Sequence, residues 1–179
     1  MNIPNLLTVI RITLAPLIVI LLMEGDYGKA LLAFIAAGLT DALDGFLARV
    51  LLQKTVLGAY LDPIADKILI GSCFVTLAIV RILPGWLAVI VISRDVIIIL
   101  GICILTLTDI AYEIRPVFVS KVTTTIQIIT IFSVLMLKCL PGIFTPPWIH
   151  GLYWFTAALT VTSGIEYVII WIRLINHQS

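Results

Sequence analysis

Six long apolar runs divide the chain, and short stretches rich in breakers separate them. The runs cover roughly Ile3 to Met23, Lys29 to Val50, Tyr60 to Val80, Gly85 to Leu107, Pro116 to Leu137 and Pro147 to Ile172. Each approaches or exceeds the roughly 20 residues that a helix needs to cross a bilayer. No stretch alternates apolar and polar residues with period two. Lipid offers no partner to open backbone groups, so runs of this length are predicted as helices. The connections EGDYG, RILPG and KCLPGIFTPP carry the glycines and prolines that stop helices. No repeat, low-complexity segment or soluble insert interrupts the pattern. The expected fold is an all-α integral membrane protein, a single domain over residues 1–179 with six transmembrane helices.

Composition sharpens this. Hydrophobic residues make up 61% of the 179 residues and charged residues 12%, with a mean hydropathy of +1.20. A soluble domain carries about a quarter charged residues. The net charge of +1, with no basic run interleaved with aromatics, lacks the footprint of a nucleic-acid binder. Cys73, Cys103 and Cys139 lie within or beside apolar runs and pair at no CxxC or zinc spacing. They are expected to be small buried apolar residues. The first run has no basic stretch before it and no small-residue cleavage site, so it is expected to be a retained span.

The few charges set an orientation. Arg11, Arg49, Lys54, Lys67, Arg115, Lys121 and Arg173 fall at or near the helix ends on one side, against Lys29, Arg81 and Lys138 on the other. Arg94 lies mid-span. The positive-inside rule then places both termini in the cytoplasm. Trp86, Trp148, Tyr153 and Trp154 are expected in the interfacial aromatic belt.

On that cytoplasmic side stands TDALDGFLARVLLQKTVLGAYLDPIADK, residues 40–67. Asp41 and Asp44 are spaced i, i+3, with Gly45 and Ala48 continuing their helical face. Asp62 and Asp66 are spaced i, i+4. Pro63 disfavours a helical Asp62 and suits a first helical turn, so the third helix is expected to begin near Asp62 after a loop of roughly ten residues. Carboxylates are expensive in a membrane, and four facing one another repel. A divalent cation resolves both difficulties, and all-oxygen ligands suit Mg2+ or Mn2+. Four carboxylates exceed the usual share of one Mg2+, which points to two ions and to in-line displacement at phosphorus. Gly45, Ala48 and Gly58 leave room for a ligand or for close helix packing. Arg49 is either a phosphate partner or a snorkelling anchor.

Taken together, the spacing is D-x2-D-G-x2-A-R-x8-G-x3-D-x3-D. With Asp41, Asp44, Gly45, Ala48, Arg49, Gly58, Asp62 and Asp66 it resembles, along the whole chain, the CDP-alcohol phosphatidyltransferase family. The resemblance implies a six-helix membrane enzyme, usually a homodimer, whose site opens to the cytoplasmic leaflet, here of the bacterial inner membrane. It implies a CDP-linked lipid, commonly CDP-diacylglycerol, whose lipid-side phosphorus is attacked by an acceptor hydroxyl while CMP leaves. It further implies that Asp41, Asp44, Asp62 and Asp66 hold the metals and that Asp66 is the general base. Asp41, Gly45, Ala48, Arg49 and Gly58 would line the CDP-lipid site.

The acceptor is less sharply marked. NIPNLLTVIRITLAP resembles members that use glycerol phosphate and their close relatives. In it Asn5, Thr8 and Arg11 share a face, either turned inward or serving as caps and snorkelling anchors. Arg94, Arg115 and Lys121 are candidate partners of an acceptor phosphate, and Arg94 has a structural alternative in a pair with Asp95. Glycerol-phosphate members carry a second arginine–glutamate pair after the SR[ED] triplet, whereas here VIIILGICIL follows SRD. SRDV and SKVTTTIQ also resemble cardiolipin synthases of the same family, whose acceptor is phosphatidylglycerol. Glycerol 3-phosphate is the expected acceptor, given a short compact chain. Aspartate-rich prenyltransferases lack the D-G-x2-A-R continuation, and a small transporter would show repeats and mid-bilayer carboxylates. Glu166 is expected to be structural, and His150 and His177 to be bystanders.

Overall fold

The computed structural model describes residues 3–50, 56–107, 118–140 and 146–176. These residues form six α-helices and no strand: α1 Ile3–Met23, α2 Tyr27–Val50, α3 Val56–Ile79, α4 Gly85–Leu107, α5 Phe118–Cys139 and α6 Trp148–Asn176. The six apolar runs and the six helices coincide to within a few residues. The main difference is α3. It starts at Val56, ahead of Asp62, so Pro63 lies inside a helix and not at its first turn. A proline deprives a helix of one backbone hydrogen bond, a loss that membrane helices absorb through local adjustment.

Local chemistry stops the helices. After α1, Gly25 takes φ 79°, and Asp26 N bonds Leu21 O at 2.9 Å while Gly25 N bonds Leu22 O at 3.3 Å. This is a Schellman end, in which glycine adopts the left-handed conformation without a Cβ penalty. Asp26 then caps α2, accepting from Lys29 N at 3.3 Å and pairing with Lys29 Nζ at 2.7 Å. Those Lys29 hydrogen bonds hold the Asp26 carboxyl below its ordinary value. The end of α3 repeats the Schellman pattern with Arg81 at φ 57°, where Ile82 N bonds Leu77 O at 2.9 Å and Arg81 N bonds Ala78 O at 3.1 Å.

The chain divides into two compact units. One comprises Met1–Gly85 with Ile131–Thr145. Within it α1 packs against both α2 and α3. Its core is Ala15, Ile18 and Leu22 from α1, Ala30, Phe34 and Ala37 from α2, and Leu69, Cys73, Phe74 and Leu77 from α3, all buried.

The other unit comprises Trp86–Thr130 with Pro146–Ser179. Its buried residues include Leu87, Val91 and Ile98 of α4 and Ile149, Tyr153 and Ala157 of α6. A polar ladder joins α5 to α6. Thr123 Oγ1 donates to Leu159 O at 3.2 Å, Gln127 Nε2 to Thr160 Oγ1 at 3.2 Å, and the Thr130 and Thr156 hydroxyls lie 2.8 Å apart. The α5 spacing 123, 127, 130 is a helical stripe, so TTTIQ serves here as helix–helix glue. Trp86 and Trp154 rings stand 4.9 Å apart.

Among the described residues, Phe118–Cys139 and Trp148–Arg173 are long and apolar enough to cross a membrane, and Ile10–Met23 is a shorter apolar helix. Two expectations need correcting. Only Cys73 is buried; Cys139 is intermediate and Cys103 exposed, because an apolar helix has an outward face on which a thiol can sit. Tyr153 is buried rather than exposed with Trp148 and Trp154, since it falls on the inner stripe of α6 with Ile149 and Ala157.

Candidate active site

Three buried stripes converge on three charges. Along α1 the inward positions Leu22, Ile18 and Ala15 continue at helical spacing to Arg11. Along α2, Ala30, Phe34 and Ala37 continue to Asp41, and along α3, Leu77, Cys73 and Ile70 continue to Asp66. Packing the apolar parts of the stripes together therefore brings their charged members together.

The geometry bears this out. Arg11 Nη2 lies 2.6 Å from Asp41 Oδ1, and Arg11 Nη1 donates to Asp66 Oδ1 at 2.7 Å. The guanidinium side chain is 1% exposed, whereas those of Asp41 and Asp66 are 51% and 39% exposed. One fully buried cation thus ties two carboxylates from different helices, and the carboxylates keep an open side. The planar fork of arginine suits such a bridge. Arg11 Nε and Nη2 have no hydrogen-bond partner among the described residues, so the guanidinium holds Asp66 by a hydrogen bond and Asp41 by charge alone.

Asp41 and Asp66 are thus brought together. Asp44, Gly45, Ala48 and Arg49 lie on α2, and Gly58 and Asp62 on α3, but their side chains lie outside the described residues, as do those of Asn5 and Thr8. No group of three or more metal-ligating side chains forms among the described residues.

Sequence reasoning placed Arg11 on an inward face or at a helix end and gave it no part in the site. A charge inside the first apolar run was the available signal, since ionisable residues within a span are functional by default. Arg11 is also no surface anchor, so it drops out of the orientation count, leaving six cations against three.

In the second unit Arg94 is buried. Its Nη1 donates to Asp95 Oδ1 at 2.6 Å, and its Nη2 donates to Ser120 Oγ at 2.6 Å and Ser163 Oγ at 3.1 Å. The guanidinium carbon sits 6.0 Å from the Tyr167 ring centroid. Arg94 Nε and Glu166 Oε2 are buried without hydrogen-bond partners among the described residues. Lys121 is exposed on α5, and Arg115 and His177 lie outside the described residues. The His150 ring meets Tyr153 edge-on, 6.0 Å between centroids.

Known proteins resemble this chain over most of its length. The profile of the CDP-alcohol phosphatidyltransferase family matches residues 1–175. A human protein named cardiolipin synthase (CMP-forming) is 35% identical over 182 residues, covering 93% of this chain and 60% of that protein. The CDP-diacylglycerol–glycerol-3-phosphate 3-phosphatidyltransferase of Bacillus subtilis is 32% identical over 182 residues, covering 93% of each. A probable phosphatidylglycerophosphate synthase of Mycobacterium tuberculosis is 34% identical, covering 93% of this chain and 80% of that protein. The chain spans about half to three-fifths of the length of several curated relatives it matches, the cardiolipin synthases among them.

Proposed function

The chain belongs to the CDP-alcohol phosphatidyltransferase family, and on that premise we propose that it transfers the phosphatidyl group of CDP-diacylglycerol to glycerol 3-phosphate and releases CMP. The observation that carries this reading is the bridging of Asp41 and Asp66 by Arg11. It brings the first and last aspartates of the motif into one place with an open side. The Bacillus subtilis relative, whose length this chain nearly matches, is named for the same transfer.

The family is generally divalent-metal dependent. The residues fit such an ion: the donors are carboxylate oxygens, and two of them already gather about one cationic group. Asp41, Asp44, Asp62 and Asp66 would hold Mg2+ or Mn2+, two ions in all. When bound, the ions neutralise the diphosphate and the charge that develops on departing CMP.

The rest falls to the chain's own groups. Asp66 takes the proton of the acceptor hydroxyl as its oxygen bonds to the lipid-side phosphorus and the phosphorus–oxygen bond to CMP breaks. Gly45, Ala48 and Gly58 leave room for the CDP group, and Arg49 pairs with its phosphates. Arg94, Arg115 and Lys121 take the acceptor phosphate. Six spans with cytoplasmic termini, a homodimer and a site facing the cytoplasm across the bacterial inner membrane complete the reading. Large apolar side chains on the outside of the helices, Leu32, Ile79, Val89 and Trp154 among them, support burial in lipid.

A second reading takes phosphatidylglycerol as acceptor. It is favoured by the 35% and 38% identity to human and rat proteins named cardiolipin synthase. The deciding experiment measures CMP release by the purified protein in detergent with CDP-diacylglycerol and Mg2+ or Mn2+, offering each acceptor separately. Release with glycerol 3-phosphate alone supports the first reading, and release with phosphatidylglycerol alone the second. No release with either overturns both.

A further inference from the structure

Arg11 belongs to none of the eight motif positions, yet it touches two of them. Its burial decides what it can do there. A guanidinium 1% exposed cannot swing aside when a ligand arrives, because parting from both carboxylates would leave a buried charge uncompensated. Its contacts fall on Oδ1 of Asp41 and Oδ1 of Asp66, and both carboxylates have an exposed side. The guanidinium therefore backs the pair from within the helix packing, and ligands reach the pair from outside.

We propose that Arg11 is a positioning residue for the divalent-ion centre, the inner brace that fixes Asp41 of α2 and Asp66 of α3 in the attitude that receives the ion. The inference rests on the metal-dependent reading above. Groups that orient metal-ligating carboxylates through hydrogen bonds matter to the ion itself, and their removal weakens binding about 10- to 100-fold. Charge alone predicts the opposite effect: deleting a nearby cation strengthens the hold on a second cation. The two effects have opposite signs, so the experiment separates them.

The test titrates Mn2+ into the purified, metal-stripped full chain in detergent, reading free Mn2+ by electron paramagnetic resonance. Wild type, Arg11→Gln and Arg11→Lys are compared, with helicity and melting temperature followed for each. The brace predicts Mn2+ binding weaker by about 10- to 100-fold in Arg11→Gln. Arg11→Lys keeps the charge but cannot span both carboxylates with one fork, so its binding falls as well. Raising Mn2+ should recover CMP release by Arg11→Gln in part, which a merely misfolded variant would not allow. Mn2+ binding by Arg11→Gln equal to or tighter than wild type overturns the proposal and leaves the metal-dependent reading standing. If Arg11→Gln does not fold, Arg11→Lys carries the test, and unchanged Mn2+ affinity in that variant overturns the proposal. Failure of the wild type to bind Mn2+ or Mg2+ at all overturns the metal-dependent reading and the brace with it.

Discussion

Arg11 Nη1 bonds Asp66 Oδ1 at 2.7 Å across 55 residues of chain, so the residue proposed as general base is held from the first helix. Asparagine at position 66 keeps an oxygen for Arg11 but cannot accept the acceptor's proton. Asp66→Asn should retain the helical fold and lose CMP release by about 100-fold or more. Circular dichroism and CMP release, measured on the same preparation, check both halves. Activity within ten-fold of wild type would remove Asp66 from the role of base.

The fold was legible because the apolar runs are long and the breakers between them unambiguous. Start positions were less so. Pro63 argues for a helix beginning near Asp62, but α3 starts at Val56 and carries the proline inside it. The candidate site was legible in two aspartates that the fold brings together and hidden in the arginine between them. Asp41 and Asp66 stand out because acidic residues are rare in apolar runs. For Arg11 the sequence admits both an inward face and the surface role that any arginine near a helix end can play. The distinction lies in the stripe it shares with Ala15, Ile18 and Leu22, which is visible in the sequence only once α1's inward face is known. Cys103 and Tyr153 went wrong for the same reason: periodicity defines a face but does not say which face looks inward.

Gly101 of α4 lies where a Cβ would collide with the ring of Trp171 of α6. The close approach needs the missing side chain. Gly101→Ala should destabilise the protein by about 1–3 kcal/mol through overpacking, read as a lower melting temperature in detergent. Trp171→Leu in the same chain should relieve part of that loss, since the two positions share one space. Equal melting of Gly101→Ala and wild type would mean that Trp171 rests elsewhere.

Thr130 and Thr156 place their hydroxyls 2.8 Å apart, and each also donates or can donate to its own helix at the fourth residue back, Ile126 O and Leu152 O. A bond between helices in this setting is worth about 0.6 kcal/mol on average, with an upper range near 1.7 kcal/mol. A double-mutant cycle with Thr130→Val and Thr156→Val should return a coupling of about that size. Because each threonine retains a carbonyl of its own helix when its partner is removed, the single variants should fold. A coupling of zero would show that α5 and α6 are held by apolar contact alone at this level.

Arg94 poses the sharpest choice between architecture and chemistry. Its two terminal nitrogens serve Asp95, Ser120 and Ser163, joining α4, α5 and α6. Five N–H groups sit on a guanidinium, so three bonds to the protein do not exhaust it. Lysine cannot reach three partners in the same fork, and Arg94→Lys should lower the melting temperature. Ser163→Ala removes a single bond of the network and should cost about 1.5–3 kcal/mol, since that bond goes to a charged group. If Arg94 also meets the acceptor phosphate, Arg94→Lys should raise the KM for glycerol 3-phosphate by about ten-fold, one charge-assisted contact's worth. Ser163→Ala should leave that KM where it was. Steady-state kinetics on the folded fraction of each variant distinguish the cases. Parallel, equal changes in both variants would reduce Arg94 to a strut between helices and return the acceptor phosphate to Arg115 and Lys121.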